Sequence, residues 1–243
     1  VKLKIAQLVV SKNIADNKAK IIEVLQSAEE DQWLIFPEAL LSGYYPNDPD
    51  YTDHLDWDLI SEHLREIKEL TVRMKCHCIL GSAVKDEGVW KNSVMIFSYF
   101  EEDQSHHKIE LSVLDKKHFS AGDSCSIHRI GEIKFGIQAC REVLFPRCWS
   151  NLKADGAQII FHINNALHPR DALWQHVLIT RAIENGIFVI SVNNPDQPQA
   201  LPSFLINPGG EILEESVPQT EQIITRTISL GEVIPDLSVR TDF

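Results

Sequence analysis

Cys140 closes the apolar run Phe135-Gly136-Ile137-Gln138-Ala139 and precedes Arg141-Glu142, so its thiol stands where a buried strand ends and the chain turns. Sheets present reactive groups at such ends. A cysteine there is a candidate nucleophile, and a structural cysteine fits the same pattern, because free thiols are among the most buried side chains. Glu38 ends Leu34-Ile35-Phe36-Pro37-Glu38, an acid set directly behind an apolar strand and a proline that lacks a backbone donor. Burial there raises a carboxyl's pKa and suits it to general base or acid work near neutral pH; the alternative is a cap or a strand-end ion pair. Lys108, in His106-His107-Lys108-Ile109-Glu110-Leu111, reads either as a solvated lysine or as the cation of a site. Cys76-His77-Cys78 does not suit zinc, since alternate strand residues share a face and no third and fourth ligands stand at the usual spacing. Cys125 and Cys148 read as buried structural cysteines. His106, His107 and the run Glu101-Glu102-Asp103 read as solvated loop and turn.

The elements that must position these residues alternate along the chain. Lys2 to Val10 reads as a strand, Asn17 to Glu30 as an amphipathic helix, and Trp33 to Phe36 as a second strand. A loop rich in Gly, Tyr, Pro and Asp (Ser42 to Asp53) leads to a helix from about Leu59 to Met74 and a strand from His77 to Ala83. Strands are expected at Val89 to Tyr99, Phe135 to Ala139, Ala157 to Ile163 and Ile187 to Val192, with helices at Trp149 to Ala154 and Leu173 to Glu184. Ser203 to Ile206 and Glu211 to Glu214 form a hairpin around Pro208-Gly209-Gly210, and Pro195 to Pro198 a surface loop. The pattern predicts an α/β layered fold, a single domain over residues 1–243.

Composition bounds the partners. With 35 Asp and Glu against 23 Lys and Arg, the chain carries a formal charge of −12, which repels a polyphosphate and argues against nucleic acid. The apolar runs are far short of the ~20 residues a bilayer-spanning helix needs, and no signal peptide is read at the start. Five cysteines, an odd number without paired spacings, point to a reducing compartment, hence a cytoplasmic location.

The order Glu38, Lys108, Cys140, with Ala6-Gln7, Asn17 opening the first helix, Phe36-Pro37-Glu38, Gly43-Tyr44, Asn92-Ser93, Gly122-Asp123, Phe145-Pro146, Arg181 to Asn185 and Asn207-Pro208-Gly209-Gly210, resembles the nitrilase superfamily of carbon-nitrogen hydrolases over almost the whole chain. The resemblance implies a four-layer αββα sandwich, a homodimer, and a Glu-Lys-Cys triad. Glu38 takes the thiol proton and Cys140 attacks an amide carbon. Lys108 favours the anionic states and, with the backbone N–H of Arg141, holds the oxyanion. That chemistry requires no metal or organic cofactor. The second glutamate of the family falls on Asp115, whose reach is shorter by about 1.5 Å. Ala121 for the usual proline and Arg147 for the usual acid read as structural variation. Cys140-Arg141-Glu142 and the short chain favour a small linear amide. Leu144, where carboxylate-gripping members place arginine, favours a neutral or cationic one, unless Arg141 turns inward. Tyr44, Asn164 and Asn165 are expected pocket walls, and Arg181 and Glu184 a structural helix pair. N-carbamoyl-amide or nitrile hydrolysis and a non-catalytic binding subunit are the alternatives.

Overall fold

Two sequence patterns build the molecule. Short, nearly continuous apolar runs make strands buried on both faces, and amphipathic stretches make the helices that cover them. The computed structural model describes residues 1–166, 171–196 and 201–231. In chain order the elements are β1 (Lys2–Gln7), α1 (Ile14–Gln26), β2 (Gln32–Ile35), α2 (Trp57–Met74), β3 (His77–Asp86), β4 (Val89–Ser98), β5 (Gln104–His107), β6 (His128–Ile130), β7 (Ile133–Ala139), α3 (Pro146–Ala154), β8 (Ile159–Ile163), α4 (Asp171–Asn185), β9 (Phe188–Val192), β10 (Phe204–Ile206), β11 (Ile212–Glu215) and β12 (Gln222–Thr227).

They form two six-stranded sheets, ordered β12-β1-β2-β3-β4-β5 and β11-β10-β9-β8-β7-β6. Each has a parallel centre, β1 to β3 in one and β7 to β9 in the other, flanked by antiparallel strands. Strand alternation sorts the side chains into three apolar layers. Trp33 and Ile35 of β2 meet Phe135, Ile137 and Phe161 between the sheets. Leu34 and Phe36 face Ile21, Leu25, Ile60 and Ile67 of α1 and α2. Ile160 and Val189 face Trp149, Leu152 and Leu178 of α3 and α4. The result is the expected αββα sandwich.

Several local readings are corrected. The first helix begins at Ile14, because the Asn13 side chain accepts from Ala15 N at 3.0 Å and caps it. Asn17 lies one turn in, fully buried, donating to the carbonyls of Ser11 and Leu41. β5, β6 and β12 were not expected as strands. His106 therefore sits in β5 and is buried, not in a solvated loop, because β4 pairs with this polar tetrapeptide through its backbone. Gln197, Pro198 and residues 232–243 lie outside the described residues, so the surface loop is described only in part.

A tight contact sets the depth of Glu38. Gly81 of β3 lies under the turn that follows β2, where an added Cβ would stand 2.3 Å from Ala39 N and 2.5 Å from Pro37 O. Gly81→Ala is expected to push residues 37–39 off the sheet, lowering stability by about 1–3 kcal/mol. Thermal or urea unfolding checks it; a wild-type midpoint would refute the requirement.

Candidate active site

Glu38 follows β2 by three residues and is completely buried. The chain reverses directly behind it: Ala39 takes φ +52° and Leu41 N donates to Gly81 O at 3.2 Å. Glu38 Oε1 accepts from Lys108 Nζ at 2.7 Å and from Asn92 Nδ2 at 2.9 Å, whereas Oε2 is buried with no hydrogen-bond partner. Burial pushes this carboxyl up, and neighbouring Asp115 adds to the rise, against the opposing pull of Lys108 and Asn92. Glu38 is thus a carboxylate with one oxygen pinned and the other free to take a proton.

Lys108 is delivered by the end of β5. Its N–H donates to Asn92 O at 2.8 Å, and its carbonyl accepts from Gly122 N at 2.9 Å. Gly122 must be glycine for that approach, since a Cβ would stand 2.2 Å from His107 O. The ammonium is 2% exposed and also touches Asp115 Oδ2 at 3.0 Å. Burial alone would strip its proton, but Glu38, Tyr44, Cys140 and Asp115 outweigh it and hold the pKa well above the ordinary lysine value. Asp115, shorter than the expected glutamate, still reaches. Burial pushes it up, yet the charge of Lys108, the Tyr44 hydroxyl donating at 2.6 Å and the Ser112 N–H donating at 2.9 Å hold it below the usual carboxylate range. Tyr44 is buried and stays protonated, so it serves as that donor.

Cys140 follows β7 at φ +50°, a left-handed conformation that costs a non-glycine residue about 1–3 kcal/mol. Glu142 holds this turn. One of its oxygens accepts from Ala139 N at 2.6 Å and His106 Nε2 at 3.0 Å, the other from Ile109 N at 2.7 Å and Glu110 N at 3.3 Å. A single buried carboxylate therefore ties the segment before the cysteine to the segment after the lysine. Burial raises its pKa, but His106 and these backbone donors outweigh it, and the net shift is downward. From the other side, His162 Nε2 lies 2.8 Å from Cys140 O. The residue Cys140 is half-exposed while its sulfur is densely surrounded. Burial, then Glu38 and Asp115, push the thiol up to about 12, against the opposing effects of Lys108 and the Asn165 N–H. Lys108 does favour the anion, as expected, but burial and the two carboxylates outweigh it, so the thiol keeps its proton until an acceptor takes it.

Tyr44 and Asn165 line a cavity of about 220 Å³ together with Val10, Lys12, Tyr45 and Asn194, with Asp48 and Asp196 also in its wall. Arg141 does not turn inward: its guanidinium donates to Leu111 O at 2.8 Å and lies over the Phe145 ring. Asn164 is fully buried just past β8, and neither polar atom of its side chain has a hydrogen-bond partner. Arg181 and Glu184 pair on α4 at 2.7 Å as expected, and Arg181 Nε also holds Val143 O. Asn92, Glu142 and His162 were missed as site residues; Asn92-Ser93 and Cys140-Arg141-Glu142 carried a signal through the resemblance, and His162 carried none.

The reading of Cys125 and Cys148 as buried, unpaired structural cysteines is corrected. They form a disulfide across 23 residues, and both are half-buried. Nothing in their spacing signals it, because the pairing depends on α3 packing beside the loop before β6. Cys76 and Cys78 point into the layer under α1 and α2, while His77 packs on the opposite face against Trp33, so the three do not converge on a metal. Among the described residues the only group of three with converging ligand atoms is Asp48, Asp50 and His54, on the surface and with nothing beyond proximity to suggest an ion. None of the described helices is long and apolar enough to cross a membrane.

Residues 4–236 match the family model described as carbon-nitrogen hydrolase. The chain belongs to that family. It is 24% identical over 237 residues to a "probable nitrilase" of Schizosaccharomyces pombe, covering 93% of this chain and 86% of the relative. It is 26% identical over 219 residues to the 2-oxoglutaramate amidase of Bacillus subtilis, covering 83% and 82%. A solved mutant of the Nesterenkonia AN1 amidase from the nitrilase superfamily superposes with a TM-score of 0.84 at 16% identity, over 94% of this chain and 92% of that one. The fold of this carbon-nitrogen hydrolase is therefore the nitrilase-type α/β sandwich.

Removing the Glu142 carboxylate would orphan three backbone donors and His106 at once. Glu142→Ala is expected to cost about 3–5 kcal/mol of stability. In the wild-type chain the part of this contribution that depends on the carboxylate charge is present above the ordinary carboxylate pKa and is lost as pH falls through the lowered folded value. Urea unfolding at neutral and acid pH measures both, and an unchanged midpoint in the variant would rule the clamp out.

Proposed function

We propose that this carbon-nitrogen hydrolase is a thiol amidase acting on a small linear amide, with Cys140 as nucleophile, Glu38 as general base and acid, and Lys108 as oxyanion stabiliser. The observation that carries the reading is the unpartnered Oε2 of a buried Glu38 whose other oxygen is fixed by Lys108 and Asn92. A group so held accepts a proton without reorganising.

In the proposed sequence Glu38 takes the Cys140 proton as sulfur attacks the amide carbon, so a free thiolate need not accumulate. The C=O π electrons move onto oxygen, where Lys108 and the Arg141 N–H stabilise the charge. Collapse breaks the C–N bond, and protonated Glu38 gives its proton to the departing nitrogen, releasing ammonia or an amine and leaving a thioester. Glu38 then deprotonates a water that attacks the thioester, and returns the proton to sulfur as the acid leaves. Asp115 keeps Lys108 charged and, with Tyr44, fixes the wall of the cavity. Asn164, with its two free polar atoms, and the backbone of Arg141 are the proposed substrate contacts.

The relatives include proteins named as amidases and as nitrilases, so the preference for amides rests on Cys140-Arg141-Glu142 and the short chain. The engaged guanidinium of Arg141 and the exposed Leu144 support a substrate without a carboxylate, neutral or cationic. A cytoplasmic setting is proposed on the need to keep Cys140 a free thiol, and the Cys125–Cys148 disulfide gives it no support. A homodimer is likewise proposed, and light scattering should report twice the chain mass; a stable monomer would reject it.

A panel of short linear amides should release ammonia, and Cys140→Ala and Glu38→Gln should each lower kcat by about 10³-fold or more. The working form of Glu38 is the carboxylate and its pKa is raised, so kcat/KM should fall in acid with an apparent pKa above the ordinary 4.5. Full activity in either variant, or an acid limb below 4.5, would contradict the roles given.

A further inference from the structure

Cys140 is followed by a planar, trans peptide unit whose carbonyl and the N–H of Arg141 point in opposite directions. Fixing the oxygen therefore fixes the direction of that N–H. The oxygen is held: His162 Nε2 lies 2.8 Å from it, and His162 Nδ1 lies 2.9 Å from Ser191 Oγ. A carbonyl only accepts, so Nε2 carries the hydrogen; in a neutral ring Nδ1 is then bare and accepts a hydrogen bond from the Ser191 hydroxyl. Burial pushes His162 down to about 4, so the ring is neutral at working pH.

The support for this contact is rigid. His162 and Ser191 stand opposite one another in the parallel pair β8 and β9, both without solvent exposure, and Trp174 of α4 covers the imidazole at 6.1 Å. Arg141 lies in the first turn of a short 3-10 helix, Cys140–Leu144, where helical geometry offers its N–H no acceptor. A hydrogen bond to the carbonyl also polarises the peptide and strengthens the N–H at its far side.

We propose that His162, oriented by Ser191, is a positioning residue that aims the Arg141 N–H at the oxyanion formed during attack by Cys140. This rests on the thiol-amidase reading and adds to it a residue with no contact to the substrate. Its role is confined to a step that builds charge on a carbonyl oxygen. Alkylation of Cys140 by iodoacetamide builds none, because sulfur displaces iodide at a CH₂ carbon.

The two reactions separate aim from general damage. In His162→Leu, ammonia release from a short amide, normalised to the Cys140 titrated by iodoacetamide, should drop about 10- to 100-fold, a share of what deleting an oxyanion donor costs. The alkylation rate of Cys140 should stay within about threefold. His162→Gln, whose amide N–H₂ reaches as far as Nε2, should recover most of the turnover. Ser191→Ala should show a smaller loss in the same direction, and carries the test if His162→Leu fails to fold. Unchanged turnover in a folded His162→Leu or Ser191→Ala chain would overturn the inference, as would turnover and alkylation falling together. A wild-type chain that alkylates rapidly but opens no amide would instead overturn the amidase reading beneath it.

Discussion

An ammonium group in a nearly dry interior is the constraint around which the site is organised. Lys108 can keep its charge only if carboxylates close at hand replace the water it has lost, and Glu38 at 2.7 Å and Asp115 at 3.0 Å do so. That arrangement leaves one more negative charge than positive when both acids are ionised. Burial raises Glu38, the carboxyl with an unpartnered oxygen, with Asp115 adding to the rise, and burial together with the two acids opposes ionisation of Cys140. Asp115 escapes the same rise because Tyr44 and Ser112 add donors to it. Two acids on one cation are thus separated by their remaining hydrogen bonds: one is a permanent anion, the other can accept a proton.

Holding three distant segments at hydrogen-bond distances demands unusual backbone. Ala39 and Cys140 both take left-handed φ, and Gly81 and Gly122 let other backbone approach where a Cβ could not fit. Such strain persists only where surroundings over-determine it. Here Glu142 grips both sides of the gap between Lys108 and Cys140, and His162 grips the carbonyl of Cys140 from β8. The strands are the rigid part and the chemistry sits at their ends, which is why parallel centres in both sheets matter.

Much of this was legible in the residues. The short, nearly continuous apolar runs around Ile35, Ile79, Ile137, Phe161 and Ile190, rich in β-branched residues, were read as strands. The short polar strands were not. Gln104–His107 has no apolar alternation, and only pairing with β4 makes it a strand and buries His106. Glu142 looked like part of a motif beside the cysteine, because its four partners come from segments about 30 residues away and from Ala139. The disulfide of Cys125 with Cys148 was invisible for the same reason: it depends on where α3 packs.

The linear sequence by itself determined the alternation of strands and helices and the layered α/β class, since periodicity is written locally; Glu38, Lys108, Asp115 and Cys140 were picked out through the family resemblance. The tertiary structure alone decided which oxygen of Glu38 is free, that the thiol rests protonated, that Arg141 turns away, and that His162 lies against the Cys140 carbonyl. Those properties are set by burial and by partners brought in from other elements, and neither burial nor distance exists until the two sheets close on one another.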